Sequence, residues 1–263
     1  MKKDNIKLAF SRHASKYDNH SFVQKELGDK LLNVIQKHRQ FLNNPLKVLD
    51  VGCGTCLWTS RLKDSLEKNG FDMEITGLDF SKQMLKLCSQ RLPNARIIES
   101  DMDQIDSNQI NSFNLIVSNA SIQWSEDLPT LIKKLRNIST DNSVLAFSTF
   151  LRGTLEKLSK AIIISLEKEI PAIRFLSYES VIQYLMPYYK IIDARHFSFE
   201  IKFNSALELL KHIKHTGTYE KGVLNKPLTR RQITKLEKYI VKENKKLSLS
   251  YKAGIFFCVS LNA

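Results

Sequence analysis

A glycine-containing turn with acidic residues around it is the part of this sequence best suited to binding a ligand. The apolar run Val48–Val51 leads into Gly52-x-Gly54, and a helical pattern follows. Glycines at a strand-to-helix turn let the backbone approach a ligand more closely than side chains would allow. Asp79 ends the next strand, 25 residues after Gly54, where its carboxylate would accept hydrogen bonds from both hydroxyls of a ribose.

The third strand of the same pattern adds side chains for a base. Asp101 and Met102 follow that strand, so Asp101 is placed to accept from an adenine amino group and Met102 to pack on the ring. Phe80, next to Asp79, is assigned to the same ligand. The carboxyl ends of parallel strands meet at one edge of a sheet, and these three strand ends therefore predict an adenosine-binding cleft.

The acid beside the loop, Asp50, indicates which adenosine ligand fits. A dinucleotide motif reads G-x-G-x-x-G and holds a pyrophosphate, but no third glycine stands at the fitting position here. A carboxylate repels a pyrophosphate and attracts an ammonium or sulfonium ion. S-adenosylmethionine (SAM) carries both cations and is the predicted ligand. A nicotinamide or flavin dinucleotide and a purely structural turn are the alternatives.

Alternating strands and helices must hold these residues in place. Apolar runs predict strands at 46–51, 73–79, 95–99, 113–118 and 143–149. Helical patterns at 57–68, 82–90 and 128–138 lie between them. Such alternation requires crossover connections and a parallel sheet with helices on both faces. The predicted fold class is α/β, with a doubly wound, mostly parallel seven-stranded sheet of Rossmann-like type.

The pattern changes after residue 149. Residues 152–187 look helical, 196–203 alternate with the period of a strand, and helices at 206–215 and 230–244 precede a last strand at 251–261. We expect the two late strands to pair as an antiparallel hairpin that completes the sheet. The chain is then one domain, 1–263, with a helical lid at 1–40, a SAM-binding core at 41–150, and substrate cap insertions at 151–190 and 204–248.

Composition limits what kind of protein this is. The 263 residues are 43% apolar and 25% charged, which excludes wholesale disorder. Because no apolar run approaches the ~18 residues that cross a bilayer, and no signal peptide is apparent, we expect a cytoplasmic protein without membrane contact. The four cysteines suit a reducing compartment. The pair Cys53-x-x-Cys56 has no second pair to complete a metal site, so no metal is predicted.

Positive charge is concentrated late in the chain. The net charge is +13, and residues 205–263 contain twelve Lys/Arg against four Asp/Glu, or +8. A basic surface attracts an acidic partner such as a nucleic acid, an anionic membrane or an acidic protein. A lysine-rich surface that is merely solvated is the alternative.

Two family resemblances follow from these motifs. Asp50, Gly52, Gly54 and Asp79 match the pattern of the class I SAM-dependent methyltransferases, with Cys56 at the third glycine. If φ is positive there, a residue other than glycine costs roughly 1–2 kcal/mol. The sequence also resembles the malonyl-acyl carrier protein O-methyltransferases along nearly the whole chain. That resemblance rests on residues 10–18, 118–124, 174–176, 210–217, 228–229 and 249–251.

The narrower resemblance implies methylation of the free carboxylate of malonyl-acyl carrier protein, or of malonyl-CoA, to give the ester that starts biotin synthesis. A carboxylic acid with a pKa near ~4 is already ionised at neutral pH, so no general base is required. Neither nucleic acid nor membrane is an expected partner. The alternatives are another small-molecule or carboxyl methyltransferase, an RNA methyltransferase, and a non-catalytic SAM-binding protein.

Three residues are the catalytic candidates. Tyr17 is expected to fold over the methionine end of SAM, and Asn119 to line the reacting centre and the cofactor, with Gln123 and Trp124 as its walls. Arg174 is the candidate partner of the malonyl carboxylate, because a guanidinium binds a carboxylate through two parallel hydrogen bonds. The structural alternatives are a core tyrosine, a turn asparagine and a surface salt bridge.

A short basic segment is the candidate carrier-binding site. Lys211, His212 and Lys214, with His215 beside them, are expected to contact the phosphopantetheine or the carrier protein itself. Helical spacing places Lys211 and Lys214 on one face. A solvated helix face is the alternative.

Overall fold

Seven strands form a single sheet within the part of the chain that this computed structural model describes, residues 3–108, 110, 112–166, 175–215, 228–244 and 247–261. The strands are β1 (Leu46–Val51), β2 (Met73–Asp79), β3 (Arg96–Glu99), β4 (Phe113–Asn119), β5 (Ser139–Phe150), β6 (Tyr189–Lys202) and β7 (Ser248–Ser260). Their order across the sheet is β3-β2-β1-β4-β5-β7-β6. Strands β1 to β5 are parallel, and β7 runs antiparallel to both β5 and β6. The predicted mostly parallel sheet with a late antiparallel pair is confirmed.

Helices cover both faces of the sheet. They are α1 (Lys3–His20), α2 (Phe22–Lys37), α3 (Leu57–Glu67), α4 (Lys82–Arg91), α5 (Leu128–Asn137), α6 (Glu156–Leu166), α7 (Tyr178–Leu185), α8 (Ala206–His215) and α9 (Arg230–Asn244). Apolar side chains of α2, α3, α6, α8 and α9 share one core with the first face of the sheet. Those of α5 and α7 share a second core with the other face.

The central strands are apolar throughout because successive side chains point into different cores. Val48 and Leu115 lie in the first core, whereas Leu49 and Ile116 lie in the second. All four side chains are fully buried. A strand that is covered on both faces has no solvent-facing positions, and its sequence becomes a continuous apolar run.

Strand β6 begins earlier than the sequence predicts, at Tyr189 rather than residue 196. A bulge between Ile191 and Asp193 shifts its register with β7, so the alternating pattern becomes visible only beyond it. The Asp193 carboxylate accepts hydrogen bonds from His38 at 2.9 Å and Arg195 at 2.7 Å. These partners, with the Arg195 contact first, hold the pKa of that carboxyl well below its usual range.

The late helices divide between the two faces. Helix α6 packs on α9, and α8 packs on both α9 and α1, whereas α7 packs on α5 and β6. The expected cap segment 151–190 therefore contributes α6 to one layer and α7 to the other. Its residues 167–174 and residues 216–227 of the second cap segment lie outside the described residues. Of the helices described, none is long and apolar enough to cross a membrane.

Replacing Phe256 with alanine tests how the antiparallel strand is held in the second core. The Phe256 ring is fully buried and stacks on Phe147 with ring centroids 5.0 Å apart. Phe256→Ala should lower the free energy of unfolding by about 3–5 kcal/mol, measured by urea denaturation. Ile164→Ala, at a side chain that is 55% exposed, should change it by less than about 0.5 kcal/mol. Equal effects of the two substitutions would contradict this packing.

Candidate ligand-binding cleft

A cleft with two lobes follows the carboxyl ends of β1, β2 and β4, beneath helix α1. The first lobe is lined by Lys3, Phe10, Leu78, Asp79, Phe80, Met84, Ser100, Asp101, Met102, Ala120, Ser121 and Trp124. The second lobe is lined by Asp18, Ser21, Gln24, Lys25, Asp50, Cys53, Thr55, Leu57, Trp58 and Arg61. The lobes share Tyr17, Gly52, Gly54 and Asn119. The structure thus brings together all of the residues predicted to bind an adenosine ligand.

The glycine turn separates the two lobes and is fastened to β2. The backbone N–H groups of Gly52 and Cys53 both donate to the Leu78 carbonyl, at 2.7 and 3.0 Å. Gly52 has a φ of +72°, and a Cβ at this position would collide with the Ser121 side chain. Glycine is therefore required here by both conformation and space.

Asp79 holds this turn in place from the end of β2. Its Oδ2 accepts a hydrogen bond from the Gly54 N–H at 3.0 Å, and its Oδ1 accepts one from the Ser81 N–H at 2.8 Å. Burial raises the pKa of Asp79 to about 6, although these backbone N–H groups stabilise the charged form and oppose the rise. Asp79 has a second task that its sequence position does not reveal, since it ties the loop to the second strand.

Asp50 is a buried carboxylate with one unused oxygen. The Thr59 hydroxyl donates to its Oδ2, while none of the described residues donates a hydrogen bond to its Oδ1. Burial raises the pKa of Asp50 to about 7. Leaving a buried acceptor without a donor costs about 1–3 kcal/mol. The second lobe is therefore suited to a ligand group that brings N–H donors and positive charge.

Asp101 is in its expected place but already has a partner. Lys3 Nζ, from the start of α1, donates to Asp101 Oδ1 and Oδ2 at 2.6 and 2.7 Å. The Asp103 N–H also donates to Asp101 Oδ1, at 2.9 Å. An adenine amino group bound at this point would share the carboxylate with Lys3, which the sequence did not indicate.

Aromatic rings form a wall around the first lobe. Phe10, on α1, lies 5.8 Å from Trp124, 5.9 Å from Tyr17 and 6.2 Å from Phe80, measured between ring centroids. Met102 is largely buried in the same lobe. Flat apolar side chains of this kind are suited to packing on a planar base. Helix α1 therefore supplies part of the ligand site as well as its cover.

Asn119 ties three elements together at the centre of the cleft. Its Nδ2 donates to the Gln24 carbonyl of α2 at 3.0 Å, and its Oδ1 accepts from the Ser148 hydroxyl of β5 at 2.7 Å. Beyond β4, Gln123 Nε2 donates to the Ala120 carbonyl at 2.6 Å. The amide of Asn119 is thus engaged in positioning the wall of the cleft.

Tyr17 faces both lobes from the middle of α1. Burial raises the pKa of its phenol well above the ordinary value, and the nearby Asp79 and Asp18 carboxylates raise it further. Asp18, the next residue, accepts hydrogen bonds from Thr55 at 2.7 Å and from Arg91 at 2.8 Å. These two contacts hold α1 down on the glycine loop. They join residues far apart in the chain, and no local sequence signal marks them.

The predicted substrate residues are placed differently from one another. Arg174 lies outside the described residues. Lys211 and Lys214 are exposed on α8. His212 is instead buried, with its ring 4.5 Å from Phe22 and its Nε2 within 3.0 Å of the Tyr251 hydroxyl. The helical period turns His212 toward the core, so the expectation that it contacts a carrier on the surface is corrected.

The cysteines differ from the sequence expectation. Cys56 has a φ of +56°, as a third-glycine position requires, and it forms a disulfide with Cys88 of α4. The sulfur of Cys53 completes a cluster in which all three sulfurs lie within 4.8 Å of one another. We expected free thiols, because sequence spacing does not show that α4 packs beside the loop. The disulfide ties the glycine loop to that helix.

Comparison with known proteins gives a consistent result. The profile of a family described as "Methyltransferase domain" matches residues 42–189. A malonyl-[acyl-carrier protein] O-methyltransferase of Priestia megaterium is 34% identical over 155 residues, which are 58% of this chain and 54% of that protein. A second protein of that name, from Ilyobacter polytropus, is 25% identical over 237 residues, 89% of this chain and 88% of its own.

Solved structures share the fold at low sequence identity. YcgJ of Bacillus subtilis has a TM-score of 0.60 at 12% identity, covering 89% of this chain and 100% of that one. The N-methyltransferase NodS of Bradyrhizobium japonicum, solved with S-adenosyl-L-homocysteine, has a TM-score of 0.55 at 12% identity and covers 98% and 100%. These similarities support the α/β architecture described above.

Asp50→Asn should stabilise the ligand-free protein at high pH only. The folded-state pKa of Asp50, about 7, lies above the ordinary value of 3.8, so wild-type stability is lost as pH rises between these values. The substitution removes this loss. Thermal unfolding should show a higher Tm for Asp50→Asn than for wild type at pH 8 and nearly equal values at pH 4. The exposed control Asp64→Asn should not change the pH profile, and a lower Tm for Asp50→Asn at pH 8 would contradict the argument.

Cys88→Ala should make the stability of the protein insensitive to reductant. A dithiol should lower the wild-type free energy of unfolding by about 2–4 kcal/mol, because a cross-link over this loop restricts the unfolded chain. The Cys88→Ala variant should show no further loss when the dithiol is added. Cys258→Ala, which leaves the disulfide intact, should retain the wild-type response. Equal wild-type denaturation curves with and without reductant would disprove the cross-link.

Proposed function

This chain belongs to the methyltransferase-domain family, and from that premise we propose that it methylates the free carboxylate of a malonyl thioester, with SAM as methyl donor and acyl carrier protein as carrier. The observation that carries the proposal is the two-lobed cleft with buried acids, in a chain that aligns over 89% of its length with a relative named malonyl-[acyl-carrier protein] O-methyltransferase. The product would be the malonyl methyl ester that starts biotin synthesis.

The described residues suit SAM at both ends. Asp79, Asp101 and the aromatic wall of the first lobe are suited to its adenosine, and the unpaired Asp50 Oδ1 of the second lobe is suited to its ammonium group. Two buried carboxylates favour a ligand that carries positive charge. When bound, SAM supplies a methyl group on a sulfonium, which is already a strong electrophile.

The protein's contribution is positioning and exclusion of water. Phe10 and Tyr17 of α1 cover the cleft, and the contacts of Asp18 with Thr55 and Arg91 hold α1 closed. A malonyl carboxylate is ionised at neutral pH, so no side chain needs to remove a proton. Holding the two reactants in line in a closed site can supply many orders of magnitude in rate. We retain Arg174 as the proposed partner of that carboxylate.

A basic surface beside the cleft supports an acidic carrier as partner. Burial lowers the pKa of His13, and the positive charges of Lys214, Arg12 and Lys16 lower it further. These three cations, from α1 and α8, therefore stand close together, and all are exposed. We call them, together with Lys211, the α1/α8 basic surface. Acyl carrier proteins are acidic, and opposite charges speed association.

Transfer of labelled methyl from SAM tests the proposal directly. Malonyl-carrier should be methylated efficiently, malonyl-CoA less so, and tRNA not at all. Methylation of tRNA alone would favour an RNA methyltransferase, which the net charge of +13 permits. Methylation of other small carboxylic acids but not of malonyl thioesters would favour a different carboxyl methyltransferase. SAM binding without any transfer would indicate a non-catalytic SAM-binding protein.

Reversing charge on the α1/α8 basic surface should weaken use of the carrier. Lys211→Glu/Lys214→Glu should lower kcat/KM for malonyl-carrier by about tenfold at low ionic strength and much less at high ionic strength, because salt screens exposed charges. The same double variant should retain most activity on malonyl-CoA.

The matched control reverses two lysines at the opposite edge of the sheet. Lys47 and Lys190 are exposed and lie near the starts of β1 and β6. Lys47→Glu/Lys190→Glu changes the net charge by the same amount and should leave kcat/KM for malonyl-carrier nearly unchanged. Equal losses in both double variants would show that net charge, and not this surface, guides the carrier.

A further inference from the structure

Gln24 is a buried polar side chain in the second lobe that none of the roles above explains. It lies on α2 and is only 7% exposed. None of the described residues donates a hydrogen bond to its Oε1. We propose that Gln24 Oε1 and Asp50 Oδ1 together accept hydrogen bonds from the α-ammonium group of the ligand, so that Gln24 selects ligands with an amino-acid end. This inference rests on the SAM site of the proposed function.

The close approach of α2 to the sheet explains how Gln24 reaches the cleft. Gly28 lies one turn after Gln24, on the same face of α2. A Cβ at Gly28 would come within 2.8 Å of Asn119 Nδ2 and nearer still to the Trp58 ring. Trp58 Nε1 donates to the Gly28 carbonyl at 2.8 Å. The small residue lets the helix dock tightly, which carries the Gln24 side chain into the second lobe.

The backbone and the side chain of Gln24 have separate tasks. Its carbonyl accepts the hydrogen bond from Asn119 Nδ2 at 3.0 Å, which fixes α2 against β4. Its side-chain oxygen does not take part in that contact. Substitution of the side chain therefore leaves this anchor of the helix in place, and the role of Oε1 can be tested separately from folding.

Two unpaired buried oxygens in one lobe point to a donor with more than one N–H. Gln24 and Asp50 both line the second lobe, and each has an oxygen to which no described residue donates a hydrogen bond. Buried acceptors of this kind are rare unless something pairs with them. A primary ammonium has three N–H donors and one positive charge. It would satisfy both oxygens, whereas a hydroxyl has only one hydrogen to donate.

The test compares two ligands that differ in the amino-acid end. S-adenosylhomocysteine has the ammonium and carboxylate, whereas 5′-methylthioadenosine has the same nucleoside thioether without them. Calorimetry on the full chain should show that Gln24→Met weakens S-adenosylhomocysteine binding by about tenfold or more, the effect of a hydrogen bond to a charged group. Binding of 5′-methylthioadenosine should stay unchanged, which a general disturbance of the cleft would not produce.

Two further variants complete the experiment. Gln36→Met makes the same change on the same helix, at a side chain that donates to Ser65 Oγ at 2.7 Å outside the cleft, and should preserve the wild-type ratio of the two dissociation constants. Gln24→Glu keeps oxygen acceptors at the site and should keep the preference for S-adenosylhomocysteine. It also covers the case in which Gln24→Met does not fold.

Clear results overturn the inference. An unchanged ratio in folded Gln24→Met, or a lost preference in Gln24→Glu, would remove Gln24 from ligand recognition while leaving the proposed methyltransferase function intact. Failure of the wild-type protein to bind either ligand would instead overturn the SAM site itself, and this inference with it.

Discussion

The burial of two carboxylates at the carboxyl ends of adjacent strands is the constraint on which the rest of this structure depends. Asp50 and Asp79 are 2% and 7% exposed, and burial raises the pKa of each. Charged groups in such a place are costly unless they are paired. Asp79 is satisfied largely by backbone N–H groups of the glycine turn and of Ser81. Asp50 keeps one oxygen for a ligand, and the cleft is thereby prepared for a cation.

The two N-terminal helices turn this edge of the sheet into an enclosed site. Helix α1 is held by Lys3 on Asp101 and by Arg91 on Asp18, and helix α2 by the contact between Gln24 and Asn119. These contacts join the start of the chain to the ends of three different strands. The helices therefore act as structural parts of the cleft, and the strand ends alone would leave the ligand open to water.

Charge is distributed so that the interior and the exterior of the site favour opposite partners. Acidic groups line the cleft, whereas exposed cations of α1 and α8 stand beside it. The proposed reaction brings together a cationic methyl donor and an anionic acceptor on an acidic carrier. Since fields from exposed groups are screened within about 10 Å at moderate salt, buried acids and surface bases can serve the two partners separately.

Local pattern was sufficient for much of the architecture. Alternating apolar runs predicted the strand order along the chain, the parallel core, the late antiparallel pair and the residues at the strand ends, because periodicity and strand-end position are properties of short segments. The positive φ expected at Cys56 if the third-glycine geometry applied is likewise local, and the structure has it.

Tertiary structure alone decided which side chains meet across the chain. Periodicity did not show that His212 faces the core, that Cys88 reaches Cys56, that Lys3 occupies Asp101, or that Gln24 enters the second lobe. Each of these depends on how helices dock on the sheet, and docking is set by packing between residues that are distant in sequence. The residue types at the strand ends thus indicated the kind of ligand, and the packing of the helices determined the shape and the remaining contacts of its site.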